Sequence, residues 1–305
     1  EKAAEAGVRV QCDTRVLNLV VRPEDGRVCG VVAKQDGEER AIRARRGVIL
    51  CAGGFAMNRE MLRNHIPELL EENVFPVGSP YDDGSGIRMG MSVRGAPIHM
   101  DSHFSTVVWY PPASLTKGIL VNEYGQRFIN EDSYHSKTSI SCTEQDDGVA
   151  YLIADDSFFA RPLFGWQELV DAWDTVADME KGLGMPEGSL QKTIEDYNTH
   201  AAKGEDPEWH KKDKWLKPLT QPPYAALDMS VGKAQYVGFP LGGLRVTIEG
   251  KVVAKAGGTI PGLYAVGGCA SNIAQDGAGY SSGTCIGEGT FFGRRAGRAA
   301  ATAAG

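Results

Sequence analysis

Pro261-Gly-Leu-Tyr-Ala-Val-Gly-Gly268 is a short apolar run that ends in two glycines. Gly277-Ala-Gly-Tyr-Ser-Ser-Gly-Thr-Cys-Ile-Gly287 follows it, and Phe291-Phe-Gly-Arg-Arg-Ala-Gly297 continues toward the C-terminus. The three pieces read as a buried strand, a glycine-rich loop and an apolar helix. Seven glycines fall between Gly267 and Gly289 inclusive, so side chains leave the start of that helix open. Unpaired N–H groups at a helix N-terminus can then approach a ligand closely, and negative charge is favoured there. Strand, loop and helix in this order point to an α/β fold that holds a ligand on the loop.

Upstream, Glu1 to Gly7 reads as the end of a helix. β-type runs follow at Val8–Gln11, Val16–Arg22, Val28–Lys34 and Ala41–Arg43, with turns at Glu24-Asp-Gly26 and Asp36-Gly37, as in a meander. Gly47-Val-Ile-Leu-Cys-Ala-Gly-Gly-Phe55 is a second buried strand that runs into glycines. A helix is expected over Asn58–Glu71 with Asn58 as its N-cap, and another over Ile87–Arg94 after Asp82-Asp-Gly-Ser-Gly86. From about His99 to Pro222 aromatic residues become frequent. Helices are expected there at Ser157–Phe164, Trp166–Val176 and Ser189–Ala201, and a solvated charged loop at Asp206–Lys217.

The chain of 305 residues can hold two domains. Its net charge of −7 argues against nucleic acid or an anionic membrane as main partner. No apolar run reaches transmembrane length. The six cysteines are scattered, with no CxxC pair and no His at ligand spacing, so buried or half-buried thiols in a reducing cytoplasm are expected, with no disulfide and no metal site.

The closing motif resembles that of the flavoproteins related to fumarate reductase and 3-ketosteroid dehydrogenase. Gly47–Phe55 is similar to their phrase "VILAxGGF", and Asp82–Gly86 to "TGDGI" with Ser85 in place of Asp. The resemblance implies FAD as cofactor. It also implies a partial Rossmann-like FAD-binding domain with an inserted α+β cap of the fumarate reductase type. The FAD-binding parts would be residues 1–77 and 223–305, and the cap residues 78–222. The strand–GxGxxG–helix unit that opens such domains is not found, so the chain resembles the C-terminal two-thirds of the family. Truncation, proteolysis, an incomplete gene or a separate N-terminal chain all remain open. The resemblance places FAD against Gly267, Gly268, Ser282, Thr284, Cys285 and Ile286, with Ala52 and Gly53 near the dinucleotide and Val16 near adenine.

It also carries candidate site residues. Fumarate reductases bind substrate carboxylates through an Arg in "GANRLGGNAI" and a His in "HTMGG"; here those positions hold Tyr280 and Phe239. Their proton-donating Arg, after "GKRFVNE", corresponds to His135, which reads either as a proton donor or as a pocket-lining residue. Losing two carboxylate anchors leaves a site suited to a neutral, flat, hydrophobic substrate. Tyr280 fits the residue that polarises a steroid C3 ketone, with the backbone N–H of Thr284 as second donor. Ser282 and Tyr134 match a pair of the Δ4-(5α) branch that removes and relays the α-proton. For Tyr280 and Ser282 the plainer readings are a packing residue and a helix N-cap.

The expected activity is therefore FAD-dependent dehydrogenation of a hydrophobic ring ketone, most simply a 3-ketosteroid. The alternatives are a fumarate- or urocanate-type reductase of an activated C=C bond, and a flavin-free module with a binding or structural role. The electron acceptor is not legible.

Overall fold

The computed structural model describes residues 2–303. A single helical turn, α1 (Lys2–Glu5), leads into Val8–Gln11. That stretch is not a strand: it finds no sheet partner among the described residues, and Val8 and Val10 are exposed. Strands β1 (Thr14–Val21), β2 (Val28–Gln35) and β3 (Glu38–Arg43) form the expected antiparallel meander. The two-residue turn between β2 and β3 has Asp36 at φ 52° and Gly37 at φ 85°, the left-handed pair that matches strand twist. β4 (Val48–Leu50) follows.

Helix α2 (Arg59–His65) starts where expected, with the Asn58 side chain accepting from Met61 N–H. It ends six residues early. Pro67 disfavours helical geometry at Ile66, and a 3₁₀ turn, Pro67–Leu70, takes over. β5 (Val74–Pro76), α3 (Ser85–Ser92) and β6 (Pro97–Ile98) complete this part. Gly90 in α3 packs directly against the Leu244 side chain.

The middle of the chain holds β7 (His103–Thr106), β8 (Ile119–Asn122), α4 (His135–Thr143), β9 (Ala150–Asp155), β10 (Leu169–Trp173), α5 (Val176–Gly182), α6 (Ser189–Ala201), β11 (Tyr224–Asp228) and β12 (Tyr236–Pro240). Helix α6 spans the expected residues. Two others do not form. Ser157–Phe164 is a turn and irregular chain, with the Asp155 carboxylate accepting from both the N–H and the hydroxyl of Ser157. Trp166–Val176 contains edge strand β10, whose backbone is satisfied by pairing with β11; the helix begins only at Val176, capped by Thr175. The sheet order is β10-β11-β9-β8, and a second sheet runs β5-β12-β7.

The chain returns through β13 (Gly243–Leu244), β14 (Lys251–Val253) and β15 (Thr259–Ala265) to the long α7 (Thr284–Thr302). β15 lies between β14 and β4, parallel to β4.

One core joins Val28, Leu50, Phe55, Leu62, Ile87, Met100, Leu244 and Leu263. Two further cores lie under the four-stranded sheet and beside Trp109. Ile87 and Met100 pack in the first core, and β11 pairs within the four-stranded sheet. The stretch between about His103 and Pro240, the inserted body, carries that sheet with α4, α5 and α6. No helix among the described residues is long and apolar enough to cross a membrane.

The charged loop expected at Asp206–Lys217 is exposed over most of its length, with two exceptions. Asp206 and Lys211 are buried. Arg127 sits between Glu131 and Asp206, donating to both carboxylates at 2.9–3.0 Å, and Lys211 pairs with Glu131 at 3.2 Å and donates to Gly118 O at 2.5 Å. Removing one partner strands the others in low dielectric. Arg127→Ala should therefore cost about 3–5 kcal/mol in denaturant unfolding. An exposed pair such as Lys192–Asp196 should cost no more than about 1 kcal/mol when broken.

Candidate functional site

Two parallel strands end side by side in glycines. Val266 N–H bonds Leu50 O at 3.0 Å, after which β4 runs into Cys51-Ala52-Gly53-Gly54 and β15 into the 3₁₀ turn Gly267–Cys269. The backbones then touch: a Cβ on Gly268 would stand 2.7 Å from Gly54 N. Gly53 has φ 79°, and a Cβ there would strike the Asp82 carboxylate. The Cys269 thiol ties the two turns together, accepting from Ala52 N and donating to Gly53 O at 3.2 Å each. Burial pushes this thiol up to about 12, so it stays protonated. Cys12, Cys51 and Cys285, expected to be at least half-buried, are exposed.

Helix α7 begins beside these turns. Its N-cap is Gly283, at φ 92°, and not Ser282; no side chain caps it. Open space surrounds the Cβ positions of Gly283, Gly287 and Gly289, and Ile286 is 76% exposed. Ala52, Gly53, Gly267 and Gly268 line the two turns and Thr284, Cys285 and Ile286 open the helix; of these, Ala52 N–H is spent on Cys269 and Thr284 N–H on Ser281 O at 3.1 Å. This seat fits a large planar ligand with a negative edge. Val16 lines a cavity of about 520 Å³ between β1 and α3 with Arg15, Asp83 and Arg88.

The remaining candidates come together above the start of α7. Phe104 on β7 and Phe239 on β12 are a cross-strand pair, so their rings stack at 4.7 Å. Tyr280 packs edge-on against both, at 4.8 and 5.4 Å. Leu241 and Ala274 close the cluster, with Tyr134 at its margin. Tyr134 is the N-cap residue of α4, which directs its ring to the glycine loop. Its hydroxyl lies 2.7 Å from Ser282 Oγ and accepts Ser282 N–H at 2.8 Å. One turn into α4, Ser136 Oγ donates to Gly277 O at 2.6 Å. His135 faces Thr106, with Nδ1 at 2.7 Å from Oγ1.

The cluster is electrically neutral. Burial, and next the Cys285 thiol beside it, hold the Tyr280 phenol above its ordinary value, so it keeps its proton. Burial lowers His135, so the ring is uncharged at neutral pH. Reading the sequence missed Phe104, Leu241, Ala274 and Thr106, which nothing in their local sequence marks. Trp109 is wholly buried in the inserted core, while the neighbouring Tyr110 is half-buried.

A family model, "FAD binding domain", matches residues 1–286. The 3-ketosteroid-Δ4-(5α)-dehydrogenase of Rhodococcus jostii, solved in complex with 4-androstene-3,17-dione, is 40% identical, with TM-score 0.86 over 98% of this chain and 62% of that one. The 3-ketosteroid Δ1-dehydrogenase of Sterolibacterium denitrificans is 25% identical, with TM-score 0.73 over 98% and 61%. A probable fumarate reductase of Shewanella frigidimarina is 27% identical over 98% of this chain and 51% of that protein. The chain thus spans about half the length of such curated relatives.

Two outcomes follow. Gly268→Ala should leave the helix content of the purified protein intact while removing the flavin absorbance band, because the added Cβ pushes the two glycine turns apart. His135→Asn should flatten the acid side of the stability curve. Below the free imidazole value of 6.5 the unfolded chain takes up a proton that the buried ring resists, so the parent loses stability as pH falls. The parent's Tm should drop further than the variant's between about pH 7 and about pH 5.

Proposed function

The chain belongs to the FAD binding domain family, and on that premise we propose that it forms the substrate-handling part of an FAD-dependent dehydrogenase of hydrophobic ring ketones, with 3-ketosteroids of the Δ4-(5α) type as substrates. The observation that carries this reading is the Tyr134–Ser282 hydroxyl pair at 2.7 Å, set beside a protonated Tyr280 in an aromatic cluster without charge. A 40% identical relative solved with a steroid ketone supports it.

Dehydrogenation next to a ketone needs a hydride acceptor, a base for the α-proton and donors for the developing enolate. Bound FAD would be held by Ala52, Gly53, Gly267 and Gly268 and by the start of α7 at Thr284, Cys285 and Ile286, and it would supply the hydride acceptor. The protein supplies the rest. Tyr280 keeps its proton and donates it as a hydrogen bond to the ketone oxygen. Ser282 Oγ takes the α-proton as its own passes to the Tyr134 oxygen, and the Tyr134 proton leaves to water. A serine hydroxyl is a weak base alone, so the relay and the polarised ketone must act together. Phe239 and Phe104 offer flat apolar contact. The cluster itself presents no cation to a dicarboxylate, which argues against fumarate.

In the FAD-loaded enzyme, Tyr280→Phe should lower kcat/KM for a saturated 3-ketosteroid on the order of 100-fold, the effect of losing one oxyanion donor. Ser282→Ala should lower kcat by about 100-fold or more with little change in KM. Reduction of fumarate by the same preparation, with no oxidation of the steroid, would overturn the reading.

A further inference from the structure

Glu131, Asp155 and Glu180 are buried carboxylates that spend both oxygens. Glu131 pairs with Arg127 and Lys211. Asp155 takes Ser157 on one oxygen and the N–H groups of Thr220 and Gln221 on the other. Glu180 divides the N–H groups of Gly188, Leu190 and Gln191 between its two. Glu288 on α7 differs. It is 8% exposed, and its two hydrogen bonds, from Ile273 N–H and Ala274 N–H, both fall on Oε1. Among the described residues Oε2 has no partner, and no Lys, Arg or His pairs with the carboxylate. A buried negative charge without a cation is costly to keep, and such groups collect at functional sites.

Its position on the helix says what it acts on. Glu288 follows Cys285 by three residues and Thr284 by four. Residues so spaced share one helix face, so Glu288 stands about 6 Å behind the residues that open the flavin seat. Helical side chains lean toward the N-terminus, that is, toward the seat. The charge is felt there: burial raises the Cys285 thiol above its ordinary value, and Glu288 raises it further. On the other side Glu288 holds Ala274, which packs in the aromatic cluster with Tyr280, Phe104 and Leu241. The carboxylate thus adjoins both the flavin seat and the cluster.

Flavin gains one negative charge when it takes a hydride from the ketone's ring. A helix N-terminus favours that charge, and a fixed carboxylate one turn behind opposes it. We propose that Glu288 sets the reduction potential of bound FAD, lowering it by holding an unpaired negative charge one turn behind the flavin seat. This rests on the placement of FAD at the start of α7 in the reading above, and not on which ketone is oxidised. A lower potential lets the reduced enzyme pass its electrons to an acceptor more readily.

The test measures the midpoint potential of the FAD-loaded enzyme by reductive titration beside a dye of known potential, with Tm and the visible flavin spectrum as folding controls. In Glu288→Gln, Oε1 remains to accept both N–H groups and only the charge is lost. Its potential should rise by about 30 mV or more, a tenfold or greater gain in affinity for reduced over oxidised flavin, with Tm unchanged. Glu288→Asp keeps the charge and should keep the parent's potential. An unchanged potential in Glu288→Gln would overturn the proposal and leave the residue as a tie between α7 and Ile273–Ala274. Equal rises in the Gln and Asp variants would also overturn it, because charge would not be the cause. Loss of flavin from Glu288→Gln would do the same, since a neutral side chain there should not weaken FAD binding. A parent that takes up no FAD would overturn the cofactor placement itself, an outcome distinct from failure of the Glu288 role.

Discussion

The contact between two glycine turns governs everything above it. Where β4 and β15 end, Gly54 and Gly268 lie so close that one methyl group would be 2.7 Å from a backbone nitrogen. This contact fixes the relative height of the two strand ends and the direction in which the chain leaves β15. The loop bearing Tyr280 and the start of α7 both hang from that exit. Cys269 reinforces it from beneath, with its thiol bonded to both Ala52 and Gly53. The glycines serve two ends at once, since the absence of side chains permits the contact and leaves backbone donors open to a ligand.

Charge is distributed with the same economy. The inserted body holds a buried knot of Arg127, Glu131, Asp206 and Lys211, where each charge has a partner. The aromatic cluster beside the glycine loop holds hydroxyls, aromatic rings and an uncharged imidazole. Burial there raises the Tyr280 phenol, which in an active site keeps a donor in its donating form. A neutral site costs little to desolvate when an apolar ligand enters, whereas the same pocket would disfavour a dianion strongly.

Local pattern made some of this legible and not the rest. The run from Pro261 to Gly297 carried its own periodicity and glycine spacing, so strand, loop and helix were readable directly. Helix α6 was readable for the same reason. Ser157–Phe164 and Trp166–Val176 have helical composition; the first makes only a turn, and the edge of β11 draws the second into a strand. Lys211 lies in a run of charges that reads as solvent-facing; only the fold brings Glu131 to it. At the site, Tyr134, Tyr280 and Ser282 could be named from motifs, and the structure brings them together. Phe104 could not, because its place beside Phe239 depends on strand register alone.

The same register explains why Tyr280 is held still. The loop that carries it is tied at both ends to the first turn of α4: Gly277 through Ser136, and Ser282 through Tyr134. Within that span Asp276 accepts Gly279 N–H at 2.6 Å, and upstream the buried Glu288 carboxylate takes the N–H groups of Ile273 and Ala274. Tyr280 sits between the two ties, its ring packed against Phe104 and Phe239. A donor fixed in this way does not have to be reoriented as charge develops on a ketone, which is where preorganised hydrogen bonds gain their advantage over water. Tyr134 also belongs to the ties and not only to the relay. The group that would receive the proton is one of those that hold the donor in place, so the inserted body must be docked for either role to be filled.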